Sequence, residues 1–402
     1  MYLICNFQVN ERKGIIGRKK LVIKKYLDYI ISFALFVGMN IPSIKIIYSS
    51  EAVNILTLVS IWVFGLTRVM IFKKGKLLFS NTQNKFLFLF ITLWLIMIAN
   101  SLANSSIVNL SDFAQYSSVI LIVIGATILF EYSDLHRIFF YQIVWGGLLS
   151  IGSLMGVIEL DLSLGQHYLT LGLPLAAAIV VNVIDLISNF KHYKKVSVMT
   201  RILVLIVSII AVSSLQGRSP VILSVLIPTF FILAIILREK NIASKLRSLF
   251  ITIIIIISII YIIVSNVSQY WIARFDGLAN FTNEPRYYIY TKAIEIIKNN
   301  PLGRGLDDFS GLPGYPHNIL LEVSIAGGLI ATVIFILIVS MLIKSIWKSA
   351  VTKGDLLVIS SLALYFLVVW NISFDLTASY VPFIAVGLAV NAEGKKNERE
   401  IM

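Results

Sequence analysis

Apolar runs of membrane length recur along the whole chain, and they limit what it can fold into. A helix needs about 20 mainly apolar residues to cross a bilayer. Runs of that kind occupy 27–43, 52–72, 86–103, 112–130, 137–158, 168–188, 199–216, 219–237, 247–265, 318–343, 355–371 and 376–391. Hydrophobic residues make up 58% of the 402 positions and charged ones only 14%. Soluble domains carry about a quarter charged residues, so a water-soluble fold is excluded. The expected class is an all-α polytopic membrane protein with about 12 transmembrane helices, forming one integral membrane domain over residues 1–402.

The net charge of +13 raises the question of nucleic acid. The cations sit instead in short clusters between apolar runs, which is the pattern of cytoplasmic loops. With the N-terminus inside and the loops assigned alternately, all but seven of the 34 Lys and Arg residues fall inside. The seven are Lys45, Arg218, Arg274, Arg286, Lys292, Lys298 and Arg304. This places both termini in the cytoplasm, with a basic tail over 1–25 and a second tail over 392–402. The first tail has no small-residue cleavage site and does not read as a signal peptide. Cys5 is the one cysteine, so neither an intramolecular disulfide nor a cysteine-based metal site is available.

One connection is long. Residues 266–317 lie outside, between the ninth and tenth runs, whereas nearly every other connection is a tight turn. Long loops on a compact scaffold are usually functional or disordered, and Trp271 with the tyrosines at 287–290 argues for order. Within it, TNEPRYYIYTKAIEIIKNNPLG predicts a helix. Thr282 and Asn283 are cap candidates, Pro285 suits a first turn, and Asn300, Pro301 and Gly303 stop it. Ile289, Tyr290, Ala293, Ile294 and Ile297 recur at helical spacing.

The loop's charges balance, with five cations against Asp276, Glu284, Glu295, Asp307 and Asp308, so placement matters more than bulk field. Arg286 falls in the first turn of the helix, where free N–H groups already favour an anion. A bound phosphate would suit an arginine there; the plainer reading is a salt bridge to Glu284 or a solvated side chain. Arg218 lies in SSLQGRSPVIL, an external turn flanked by apolar runs. An ionisable group near membrane depth points to function, against a snorkelling arginine at the interface. His136 and His192 fall in inner turns, and His167 opens the sixth run. His317, between a proline and an asparagine at the mouth of the tenth run, is the candidate base, since neutral histidine is a natural proton acceptor near pH 7. Glu322 lies one turn further on. Glu159 with Asp161, and Asp307 with Asp308, are acidic pairs of a kind common in solvated turns, and no metal site is assigned. A Walker loop, a Ser-His-Asp spacing and a strand before the G-x-G of NPLGRG are all missing.

Taken together, RYYIYTKAIEIIKNNPLGRGLDDF followed by PHNILLEVSIAGGLIA resembles the O-antigen polymerase/ligase (Wzy-type, O-antigen ligase superfamily) family. The matching features are Arg286, the Asn300–Gly305 turn, His317-Asn318 and the pair Gly327-Gly328. QGRSP and LGQHYLTLGLPLA are similar to the family's external arginine turn and to the opening of its sixth helix. Two departures stand out: no arginine precedes LGQHY, and Ala326 precedes the glycine pair. The resemblance implies a GT-C-like glycosyltransferase, inverting and metal-independent, with no cofactor. The donor would be an undecaprenyl-diphosphate-linked oligosaccharide, held in the cytoplasmic membrane among membrane lipid. His317 would be the catalytic base. Arg218 and Arg286, with Arg304 and Arg274 behind them, would bind the diphosphate. Asn318 would be a further binding residue, and His167 and Glu322 secondary candidates. A chain-length regulator and a flippase of the same pathway are implied partners, and nucleic acid is not.

Composition leans toward a polymerase of capsule or O-antigen repeats rather than a ligase moving finished glycan to lipid A core or another acceptor. A transporter of lipid-linked sugars is the third reading; it would call for repeat symmetry and mid-membrane charges, and few such charges are present.

Overall fold

The computed structural model describes residues 2–47, 52–104, 110–158, 168–238, 241–265 and 285–401, except positions 74, 76, 78, 216, 244, 247, 248, 251, 252, 254–256, 258, 259, 262, 263 and 353. Twelve α-helices lie among these residues. They are α1 (Tyr2–Ile47), α2 (Ala52–Phe72), α3 (Asn81–Ala103), α4 (Leu110–Leu129), α5 (Asp134–Leu154), α6 (Tyr168–Asn189), α7 (Lys195–Ser214), α8 (Arg218–Leu237), α9 (Pro285–Asn299), α10 (Ile319–Thr352), α11 (Asp355–Trp370) and α12 (Tyr380–Ile401). Eight are long and apolar enough to cross a membrane, and three shorter apolar helices lie at Phe113–Leu129, Asp355–Trp370 and Tyr380–Ala392. The chain is a multi-pass membrane protein. The ninth apolar run falls largely outside the described residues.

Two boundaries differ from the sequence reading. Helix α1 runs on through the basic tail, with its membrane-length part at Leu21–Ile47. The last apolar run does not begin as an α-helix: a 3₁₀ turn at Leu376–Ala378 precedes α12. Asp375 caps that turn by accepting from the Thr377 N–H at 3.0 Å.

Helix α6 is the most buried span and packs against α1, α5, α7, α8 and α11. Helix α12 closes the other side against α1, α3, α4 and α11. Both use small residues where neighbours approach. In α6, Ala176, Ala177 and Ala178 are buried, and a Cβ on Gly146 of α5 would lie 2.1 Å from the Ala178 Cβ. Small residues let helix backbones close up in a membrane, where the hydrophobic effect cannot drive helices together.

Two charged clusters lock the face opposite the 285–317 segment. Arg68 of α2 is fully buried and meets Asp134 at 2.9 Å and Asp28 at 3.2 Å. Its second amino group donates to Asp134 at 3.1 Å and to the Leu129 carbonyl. Asp134 also accepts from the Glu131 N–H at 2.8 Å and from Ser32 at 3.1 Å. Helices α1, α2, α4 and α5 thus share one ionic knot. The second cluster ties α6 to α7 and α11: Asp185 takes Arg201, the Tyr193 hydroxyl at 2.7 Å and Asn189 at 2.7 Å, and Asn189 reaches Asp355 at 3.3 Å.

Candidate functional site

The site is built around a break in α10. Gly328 leaves the helix with φ +67° and ψ −162°. In an unbroken helix the Ile325 and Ala326 carbonyls would accept from the N–H groups four residues on. The turn after α9 takes them instead. Arg304 N–H donates to Ile325 O at 2.8 Å and Gly305 N–H to Ala326 O at 3.0 Å, while Leu329 N–H donates to Pro301 O at 2.9 Å. Non-helical backbone at membrane depth is tolerated only when protein satisfies it, and here two loops satisfy each other. The glycines are obligatory on geometry. A Cβ on Gly303 (φ +93°) would sit 2.6 Å from Ala326 O, and one on Gly328 would sit 2.3 Å from Pro301 O. The N-P-L-G-x-G motif and the glycine pair are therefore the two halves of one joint.

Helix α3 holds the joint from the side. Asn100 donates to Leu302 O at 2.5 Å and to Ala326 O at 3.3 Å, and the Leu306 N–H donates to Ser101 at 2.6 Å. Asp307, itself at φ +60°, accepts from the Tyr116 hydroxyl of α4 at 2.7 Å and from Tyr315 at 2.9 Å. Burial and the Asp307 carboxylate push the Tyr315 phenol up, so it stays a donor. Phe309 packs on Tyr315 at 4.5 Å, and the His317 ring lies 6.0 Å from the Tyr315 ring.

His317 follows at φ +49°, a left-handed conformation that is uncommon for a residue with a side chain and is concentrated at functional sites. Asn318 then caps α10: its side-chain oxygen accepts from the Leu321 N–H at 3.1 Å and its amide donates to Asn371 O at 2.9 Å. The backbone at His317 is thus fixed on both sides while its surface stays exposed. Among the described residues nothing hydrogen-bonds its ring nitrogens. Partial burial and the nearby Arg286 charge hold its pKa below the ordinary histidine value, against an opposing pull from Asp375.

The connection between α11 and α12 is the meeting point. Arg286, second residue of α9, donates to Ile372 O. Ser219, next to Arg218 at the start of α8, meets Ser373 at 3.3 Å. Glu322 is fully buried, and one oxygen accepts from the Leu376 N–H at 2.8 Å, so it braces this connection from below. The structure therefore brings His317, Asn318, Glu322, Arg286 and the Arg218 turn to one place. Arg304 is held in its own loop by Asp308 at 3.2 Å and by Ser310. Arg274, His167, Glu159, Asp161, Glu284, Trp271 and the caps Thr282 and Asn283 lie outside the described residues. Helix α9 begins at Pro285 as its sequence predicts, but Ile294 points outward, and the buried position is Ala293. No group of three potential metal-ligating side chains occurs among the described residues.

Asp375, Asn371, Asn100 and Tyr116 were not singled out from the sequence. Asp375 carried one local signal, the Asp-x-Thr spacing of a capping turn in an outer connection.

Residues 202–336 match the O-Antigen ligase family. The match covers about a third of this multi-pass chain, and over that stretch the protein is similar to the O-antigen ligase family. Members of that family are enzymes that transfer lipid-linked glycans. The matched stretch contains Arg218, Arg286, Arg304, His317, Glu322 and the Gly327-Gly328 joint. It stops short of the 371–376 connection that receives them. No curated protein and no solved structure matches the chain.

Proposed function

We propose that the protein is a polysaccharide polymerase, transferring oligosaccharide repeat units from undecaprenyl diphosphate to a sugar hydroxyl on the outer face of the cytoplasmic membrane. The observation that carries this reading is His317, set at φ +49° beside Arg286 at the capped start of α10. With its pKa held down, the imidazole is neutral near pH 7 and accepts a proton. The acceptor hydroxyl attacks the anomeric carbon and its proton passes to His317. The bond from that carbon to the diphosphate oxygen breaks, and the lipid diphosphate leaves with the electron pair. Arg286 and Arg218 stabilise the charge that develops there, a term that usually dominates such steps. A single displacement inverts the anomeric centre. Asn318, Arg304 and Asp375 act as positioning residues: Asn318 and Asp375 fix the two backbone segments, and Arg304 keeps the joint closed. Both chain ends then face the cytoplasm, a reading supported by the distribution of basic residues.

The name of the matching family supports a second reading, a ligase that moves finished glycan to a lipid A core or another acceptor. A gel of surface glycan from a deletion strain complemented with wild type or His317→Ala separates the two. Single repeat units with the variant, at normal membrane levels of protein, are the expected result. Long chains left on the lipid carrier would identify a ligase. Long chains attached normally would contradict the role of His317.

A further inference from the structure

The far ends of α3 and α10 enclose a cleft of about 480 Å³ that has no part in the site described above. Asn100 of α3 touches the joint, and Lys85 lies fifteen positions earlier. Gly328 of α10 is the joint, and Lys344 lies sixteen positions later. At 1.5 Å per residue both lysines sit about 23 Å from the site along the helices, at the opposite membrane face. On the orientation given by the basic residues this is the cytoplasmic leaflet.

The chemistry of the cleft has two halves. Lys85, Lys344 and Lys348 all line it. Among the described residues neither Lys85 nor Lys344 has a carboxylate or hydrogen-bond partner. Ser340 adds a hydroxyl, while Phe88 and Met341 supply an apolar wall. Phe88 and Leu337 are exposed on that side, at 69% and 45%, where acyl chains run. The two unpartnered ammonium groups, on Lys85 and Lys344, repel each other around one small cleft unless an anion joins them. Basic pockets between membrane helices on the cytoplasmic side are suited to anionic lipid headgroups.

We propose that this cleft binds one anionic phospholipid of the cytoplasmic leaflet, its phosphate among Lys85, Lys344 and Lys348 and its chains along Phe88 and Leu337. The contact bridges α3 and α10, the same two helices that meet at the joint on the other face.

The test is native mass spectrometry of the full chain in detergent, titrated with dioleoyl phosphatidylglycerol, dioleoyl phosphatidylcholine or inorganic phosphate. One tightly retained phosphatidylglycerol is expected, with neither of the other probes retained. The variant K85Q/K344Q/K348Q should weaken its retention on the order of a hundredfold, while K85R/K344R/K348R should keep it. Ser340→Trp, which fills the cleft and leaves every charge, should also abolish it; this variant decides the matter if the glutamine triple does not fold. Equal retention of phosphatidylcholine would overturn the proposal, as would equal binding of inorganic phosphate or unchanged retention in Ser340→Trp.

Discussion

Arg68 and Arg286 are both arginines at the edge of the membrane, and their surroundings are opposite. Arg68 is fully buried, with carboxylates from α1 and α5 and a backbone carbonyl around it. Arg286 is half-buried, donates to a backbone carbonyl, and faces an exposed histidine held in a strained conformation. A buried charge already met by two carboxylates joins helices and has little capacity left for a ligand. A cation beside a neutral base on a preorganised opening still has charge to offer. Perturbed ionisable groups mark both structural networks and active sites; here the carboxylates around Arg68 tell the two apart.

The sharpest way to break that contrast is to remove each centre. Arg68→Ala leaves the buried Asp134 and Asp28 with only the longer ionic contacts to Arg137, at 3.8 Å each. A loss of about 3–5 kcal/mol is expected, seen as a steep fall in the unfolding midpoint and in the amount of protein recovered from membranes. Gly328→Ala comes next. Its φ of +67° and the 2.3 Å approach to Pro301 O cost about 1–3 kcal/mol in strain alone. Limited proteolysis of the 300–317 segment should show the joint opening.

Smaller effects refine the site end of the comparison. In the proposed role the working form of His317 is the neutral one, and its pKa lies below the ordinary 6.5. Transfer should therefore be flat at neutral pH and above, and its acidic limb should lie at lower pH than an ordinary histidine would give. Asp375 pulls that pKa upward, so Asp375→Asn should move the acidic limb to lower pH still; a limb moving upward would remove Asp375 from the site. Least of all, Lys292→Ala, which breaks an exposed pair with Glu295 at 2.8 Å, should leave both transfer and the unfolding midpoint unchanged, since exposed pairs contribute little.

Eight of the twelve expected spans were legible at membrane length because a bilayer demands long apolar runs, and α9 was legible from Pro285 and its helical spacing. His317, Arg286 and Arg218 stood out as polar groups where apolar ones were expected. The joint was half visible: both glycine motifs could be seen in the sequence, but only the fold shows Gly303 against Gly328. Asp375 and Asn100 stayed hidden because each acts through a partner far along the chain, and a turn between two spans gives no periodicity to read. Arg68 looked like one more inner-loop cation; its burial depends on Asp28 and Asp134, 40 and 66 positions away.

The most direct measurement is the rate of repeat-unit transfer from a lipid-diphosphate donor by purified wild type and His317→Ala, with the unfolding midpoint taken on the same samples. The expected result is a rate lower by roughly 10²–10⁴ with the midpoint unchanged. A variant that transfers at the wild-type rate, or one that loses activity only in proportion to lost fold, would contradict the assignment of His317 as the base.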